Sequence, residues 1–189
     1  MRVISGDCKG TSLKAVPGKN TRPTTDKVKE TLFNMIGPYF EGGKVLDLYG
    51  GSGGLGIEAL SRGANQAIFI DRYMPAVQTI QENLERCHLQ NQAEVYRNDA
   101  GRALNLLGKR HETFSLIFLD PPYAAGRIEK DIEKILSLDL LQPKGYLIIE
   151  HPRTSQLEER LSSSIRRWKF QTAHEQTALS IYYHYVEES

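Results

Sequence analysis

Short, continuously apolar runs recur along the middle of the chain: Val45-Leu46-Asp47-Leu48, Ala67-Ile68-Phe69-Ile70, Leu116-Ile117-Phe118-Leu119 and Tyr146-Leu147-Ile148-Ile149, with a weaker run at Ala93-Glu94-Val95-Tyr96. Runs without polar alternation fit strands covered on both faces, as in a parallel sheet. Between them the apolar spacing changes to three and four: Val77, Ile80 and Leu84, then Ile128, Ile132, Ile135 and Leu136. That spacing gives helices with one buried face, and these stripes read as core rather than as ligand contacts. Strand and helix alternate from Lys44 to Pro152. The alternation predicts a doubly wound α/β sheet with right-handed crossovers.

The flanks read differently. Residues 1–43 open with a hairpin or an extended segment. A helix follows from about Thr25, with Val28, Leu32, Met35 and Ile36 on one face and Thr24 or Thr25 as its N-cap. From about Ile165 two further strands are predicted, Arg167 to Thr172 and Ala178 to Val186, closing the sheet edge as a hairpin.

Composition narrows the class without naming a function. The chain has 189 residues, 40% hydrophobic and 25% charged, which suits one folded domain and excludes a disordered chain, a collagen or a coiled coil. No apolar stretch reaches the roughly 18 residues of a membrane span. The first ten residues hold Asp7 and Lys9 and no apolar block, so no secretory signal is read and the cytoplasm is the expected compartment. Cys8 and Cys87 stand far apart, and the five histidines show no HxxxH or HExxH spacing, so neither a disulfide framework nor a metal site is expected. Net charge is +1, but residues 1–36 carry seven Lys or Arg against three acids, a net +4. A basic front on a neutral body points weakly to a polyanionic partner.

The chemistry concentrates where strands end. After the first run comes Tyr49-Gly50-Gly51-Ser52-Gly53-Gly54-Leu55-Gly56, leading into a helix. A glycine loop there lets backbone N–H groups and a helix N-terminus approach a ligand closely. Gly51, Gly53 and Gly56 match the dinucleotide fingerprint, and Asp71 lies 20 residues after Gly51 as a ribose-binding acid. Taken alone, this pattern favours NAD, but the adenosine of S-adenosylmethionine satisfies it equally. Asp47, inside the strand before the loop, separates the two. A carboxylate at that depth suits an ammonium or sulfonium ligand and repels a pyrophosphate. Asn98-Asp99-Ala100 ends the third run; Asp99 there accepts from an adenine amino group, caps the next helix, or does both.

The fourth run ends in Asp120-Pro121-Pro122-Tyr123. Ligands in open α/β sheets sit beyond the carboxyl ends of the strands, so this corner and the glycine loop are predicted to share one crevice. Two prolines fix the backbone and remove two N–H donors. The corner therefore presents acceptors, the Asp120 carboxylate and the Pro121 carbonyl, for both hydrogens of an exocyclic amine. Tyr123 offers a face on which a base stacks, worth roughly 1–3 kcal/mol. This constellation suits methylation of an aromatic amine. Glu150-His151-Pro152, after the fifth run, is a stretch that could line the pocket, without a place among the chosen site residues. Arg22-Pro23-Thr24-Thr25-Asp26-Lys27 is polar and basic; it reaches over the crevice or holds phosphate, or is only a capped helix start.

With these motifs in view, the chain resembles the bacterial 16S ribosomal RNA guanine-N2 methyltransferase family, within the class I S-adenosylmethionine-dependent methyltransferases. The resemblance runs nearly end to end: Met1-Arg2-Val3-Ile4-Ser5-Gly6, then Arg22 to Phe33, Asp47 to Gly53, Glu58 to Ala64, and Asp120 to Tyr123. It implies a seven-stranded, mostly parallel Rossmann-like sheet with an antiparallel last strand, preceded by the extension of residues 1–43. The methyltransferase domain would span 44–189. The resemblance further implies S-adenosylmethionine held by Asp47, Gly50, Gly51, Ser52, Gly53, Asp71, Arg72, Asp99 and Ala100. Asp120, Pro121, Pro122 and Tyr123 form the implied catalytic corner. Arg22, Thr24, Thr25 and Lys27 are expected to contact RNA. The implied substrate is one guanine of small-subunit ribosomal RNA, presented on an assembling particle to a monomeric enzyme. One departure is Tyr49-Gly50, where relatives carry Phe-Ala; a loosened loop is the expected effect. Competing readings are an NAD-dependent oxidoreductase, an amino methyltransferase acting on DNA adenine or a protein amide, and a non-catalytic RNA-binding factor.

Overall fold

A computed structural model of the chain describes residues 1–18, 24–122 and 126–188. Twelve regular elements position the site: α1 (Asp26–Ile36), β1 (Lys44–Leu48), α2 (Gly54–Ser61), β2 (Gln66–Asp71), α3 (Met74–Arg86), β3 (Ala93–Arg97), α4 (Ala100–Lys109), β4 (Phe114–Leu119), α5 (Arg127–Ser137), β5 (Leu141–Pro152), β6 (Ile165–Thr172) and β7 (Thr177–His184). The seven strands form one sheet in the order β3-β2-β1-β4-β5-β7-β6. β1 to β5 run parallel, and β7 is antiparallel to both β5 and β6. The closing hairpin is as predicted, with its second strand inserted against β5.

The local causes are visible in the sequence. Thr25 caps α1, its hydroxyl oxygen accepting the Val28 amide at 3.3 Å. Asp99 caps α4 by accepting from the Arg102 amide at 3.1 Å. The predicted helical stripes bury Val77, Ile80 and Leu84 in α3, and Ile132 and Ile135 in α5. Two apolar layers result, one on each sheet face. Each fully buried Leu, Ile or Phe contributes about 1.5–3 kcal/mol.

The predicted N-terminal hairpin is reduced to one antiparallel bridge, Arg2 to Ser12, flanked by Val3 N–H to Thr11 O and Leu13 N–H to Met1 O. Val3 and Leu13 are buried in the apolar layer to which α1 and α2 also contribute. Part of the basic front is consumed internally. Lys29, fully buried, donates to the Arg2 carbonyl at 2.7 Å and lies 3.9 Å from Glu58. Glu58 also accepts the Ile4 amide at 2.8 Å. Lys14 pairs with Glu82, and Arg2 with Asp26. Lys9 and Lys27 are exposed. The two cysteines, distant in sequence, are neighbours: both are free thiols, and Cys8 Sγ lies 3.2 Å from the Cys87 carbonyl.

The topology fixes where a ligand can sit. From β1 the sheet grows outward to β2 and β3 on one side and to β4 and β5 on the other. The crevice at such a switch point opens at the carboxyl ends of the strands. The register aligns Ile70, Leu48, Leu119 and Ile149 across the sheet. One residue further on, Asp71, Tyr49, Asp120 and Glu150 stand in a row along that edge.

Candidate active site

A cavity of about 1330 Å³ opens along this edge. That is more than the usual range for one small ligand, roughly 300–1,000 Å³, and leaves room for a cofactor and a base together. Its lining includes Asp47, Gly50, Gly51, Ser52 and Gly54 on one side and Asp120, Pro121 and Pro122 on the other. The crevice expected to join the glycine loop to the Asp-Pro-Pro corner is therefore present. Tyr123 and Arg22, two expected site residues, lie outside the described residues.

The glycine loop is held from below. Gly50 N–H donates to the Ile70 carbonyl at 2.8 Å, and Gly53 N–H returns to the Gly50 carbonyl at 2.8 Å. Gly51 and Gly53 have φ of 58° and 82°, a left-handed backbone that side-chained residues rarely adopt. Gly56 serves packing: a Cβ there would lie 2.4 Å from the Phe69 ring. At Gly50 a methyl group would lie 3.0 Å from Ile80 Cδ1. The Ile80 side chain thus already fills the space that a methyl group would take.

Three carboxylates shape the cofactor side. Asp47 is buried at 3% exposure, and its Oδ2 accepts the Gly56 amide at 3.0 Å. Burial pushes its pKa up to about 7, against the opposing effect of that bond. Asp71 accepts the Gly51 amide at 3.0 Å and the Tyr73 amide at 2.9 Å, so the ribose-binding candidate also pins the loop. The Arg102 amide holds Asp99 below the usual carboxylate range, assisted by Arg127 at 3.4 Å. Arg72 and Ala100 line the cavity as expected; Gly53, the α2 N-cap, is not among its lining residues.

Among the described residues, the lining carries seven Asp or Glu against three Lys or Arg. Such a wall disfavours a pyrophosphate and suits a cation bearing hydroxyls and an amino group. These residues fit S-adenosylmethionine and argue against the dinucleotide.

Several contributors escaped sequence reasoning. Tyr49, with φ of 64°, donates its hydroxyl to buried Asp131 at 2.5 Å and accepts from Arg127 Nε at 2.6 Å. This cluster ties the glycine loop to the start of α5. Asn83, fully buried, donates to the Ser52 and Lys14 carbonyls at 2.9 and 3.0 Å and accepts the Lys14 amide at 2.8 Å. It thereby fastens the N-terminal segment to the loop. Glu150, His151, Pro152, Thr24 and Lys29 line the acceptor side. The position of Glu150 beside Asp120, one strand over, was the available signal. His151 is committed elsewhere: Nδ1 lies 2.8 Å from the Pro152 carbonyl and Nε2 2.7 Å from Ser180 Oγ. Burial lowers its pKa and favours the neutral ring. Of the expected RNA contacts, Thr24 lines the cavity, Thr25 is occupied as a cap, and Lys27 is exposed. Among the described residues, no cluster of three His, Cys, Asp or Glu could hold a metal, and no helix is long and apolar enough to cross a membrane.

A sheet of this order, with a glycine loop after its first strand and an acid after its second, is the class I S-adenosylmethionine-dependent methyltransferase fold. The chain belongs to the family described as Conserved hypothetical protein 95, whose model matches residues 1–183. It is 55% identical over 159 residues to the Bacillus subtilis protein named "Putative rRNA methyltransferase YlbH", covering 84% of this chain and 86% of that one. It is 35% identical over 150 residues to "Ribosomal RNA small subunit methyltransferase D" of Escherichia coli K12, covering 79% and 71%. A solved Escherichia coli structure, "Putative methyltransferase yhhF", superposes with a TM-score of 0.84 at 29% identity, over 99% of both chains.

Proposed function

We propose that the protein methylates the exocyclic N2 amine of one guanine in small-subunit ribosomal RNA. The single observation that carries this is the shared cavity, in which Asp120 and Pro121 face the same space as the Gly50–Gly54 loop. The names of the similar proteins support ribosomal RNA as the substrate class.

Bound S-adenosylmethionine supplies an electrophilic methyl carbon on a sulfonium. The chain's own residues do the rest. The Asp120 carboxylate and the Pro121 carbonyl accept the two amine hydrogens. Those bonds localise a lone pair otherwise spread into the purine ring and aim it at the methyl group. As the N–C bond forms and the S–C bond breaks, leaving a neutral thioether, positive charge moves to the amine; Asp120 stabilises it there, and one amine proton then passes to Asp120 or to water. Positioning is the larger contribution, with effective molarities on the order of 10⁵ M or more. Asp47, Asp71 and Asp99 hold the ammonium, ribose and adenine ends. A base within folded RNA must be swung out to reach this depth. Residues 1–43 are the RNA-contacting extension in this reading, with roles for Arg22, Thr24, Thr25 and Lys27; Thr24 lines the cavity, and Tyr123 is assigned to stacking on the base.

Transfer of labelled methyl from S-adenosylmethionine to unmodified small-subunit particles, naked 16S RNA and duplex DNA tests the reading. Label in one guanine of the ribosomal substrates, recovered as N2-methylguanosine, is expected. Label in DNA, or in an adenine, would contradict it.

A further inference from the structure

We propose that Glu150 reads the Watson–Crick edge of the target base, accepting guanine N1–H beside the amine held by Asp120, and so selects guanine over other amine-bearing bases. This deepens the guanine-N2 reading above and rests on it.

The placement comes from the sheet. Leu119 and Ile149 are register partners on adjacent parallel strands, so Asp120, just past β4, and Glu150, still within β5, stand side by side. Neighbouring strands lie about 4.8 Å apart, close enough for two side chains to converge on one base edge. Both residues line the same cavity. Burial pushes the Glu150 pKa up and the Thr24 hydroxyl opposes that rise; a carboxyl oxygen accepts a hydrogen bond in either protonation state.

The chemistry then discriminates. Guanine presents N1–H next to its N2 amine, two donors in a row. Adenine and cytosine each present an amine beside a bare ring nitrogen, an acceptor. A second carboxylate next to Asp120 rewards the first pattern and sets lone pair against lone pair in the second. A site built to accept a substrate hydrogen rejects analogues that lack it far more strongly than an apolar pocket does. The neighbouring imidazole offers no alternative reader, because both His151 nitrogens are engaged. Thr24 is a positioning residue acting through Glu150.

The test uses 2-aminopurine, which keeps the N2 amine but replaces N1–H with a lone pair. The guanine methylated by the wild-type protein is first mapped in small-subunit particles, and particles are then rebuilt with 2-aminopurine at that position. Wild type is expected to prefer guanine at least about tenfold in kcat/KM. Glu150→Gln offers an amide that can donate to the bare nitrogen, and the preference is expected to shrink at least about fivefold. 2-Aminopurine also lacks the O6 of guanine, a loss that affects both enzymes alike and cancels in the ratio. Thr24→Val should narrow the same ratio more mildly, with cofactor affinity, measured by calorimetry, unchanged in both variants. An identical ratio in wild type and Glu150→Gln overturns the inference while leaving the guanine-N2 reading intact. A wild-type product other than N2-methylguanosine overturns both.

Discussion

Around the cofactor side, the cavity wall comes from three successive strand ends: β1 with the glycine loop and α2, the acid ending β2, and Asp99 at the start of α4. Each expected acid there already holds a backbone amide, Asp47 that of Gly56, Asp71 those of Gly51 and Tyr73, and Asp99 that of Arg102. The acceptor side is gathered from separate places. Asp120 and Glu150 come from neighbouring strands, and Thr24 and Lys29 from around the start of α1. The difference teaches that one half is preorganised by its own backbone, whereas the other exists only after distant segments pack. Substitutions on the two sides should therefore fail in different ways.

The sharpest contrast is Asp120→Ala. It should lower kcat by about 10²–10³ while cofactor affinity stays within about twofold, as calorimetry and labelled-methyl assays would show. Near-normal turnover would break the division of labour. On the other side, Asp71→Ala should weaken cofactor binding by about 10- to 100-fold, since hydrogen bonds to a charged group contribute roughly 1.5–3 kcal/mol. Its kcat at saturating cofactor should stay within a few-fold.

Asp47 sharpens the comparison through pH. Its folded pKa, about 7, lies above the ordinary aspartate value of 3.8. The folded chain thus keeps a proton that the unfolded chain releases, and this contribution to stability is lost as pH rises from about 4 to about 7. A cationic ligand reverses the preference, so S-adenosylmethionine should bind about tenfold more tightly at pH 8 than at pH 6. S-adenosylhomocysteine, which lacks the sulfonium charge, should show a smaller change, and Asp47→Asn should flatten both profiles in titration calorimetry.

Tyr49→Phe removes the hydroxyl bridging Arg127 and Asp131 and should cost about 1 kcal/mol in denaturant unfolding. Lys14→Ala breaks only a half-exposed pair with Glu82, 52% exposed on each side, and should change stability by less than about 0.5 kcal/mol.

The same contrast explains what the sequence made legible. The apolar runs, the helical stripes, the Thr25 and Asp99 caps and the glycine loop are local patterns, and each predicted element is present. The Asp120 corner was legible because the strand-end rule places it at the same crevice. Asn83, by contrast, carries no local signal, because its partners are 31 and 69 residues away. The Lys29–Glu58 pair hides in the same manner, and it turned an apparently free positive charge into a buried brace. The N-terminal hairpin shrank to a bridge because Val3 and Leu13 join the apolar layer to which α1 and α2 contribute rather than packing only against each other. Glu150 lies inside β5, and a lone acid in a strand carries no motif until its register with Asp120 is known.

A crystal structure with S-adenosylhomocysteine bound measures the central claim most directly. The account predicts the ligand inside the edge cavity, ribose at Asp71, adenine beside Asp99 and Ala100, and sulfur turned toward Asp120. A ligand seated away from the Gly50–Gly54 loop, or with its sulfur facing away from Asp120, would contradict it.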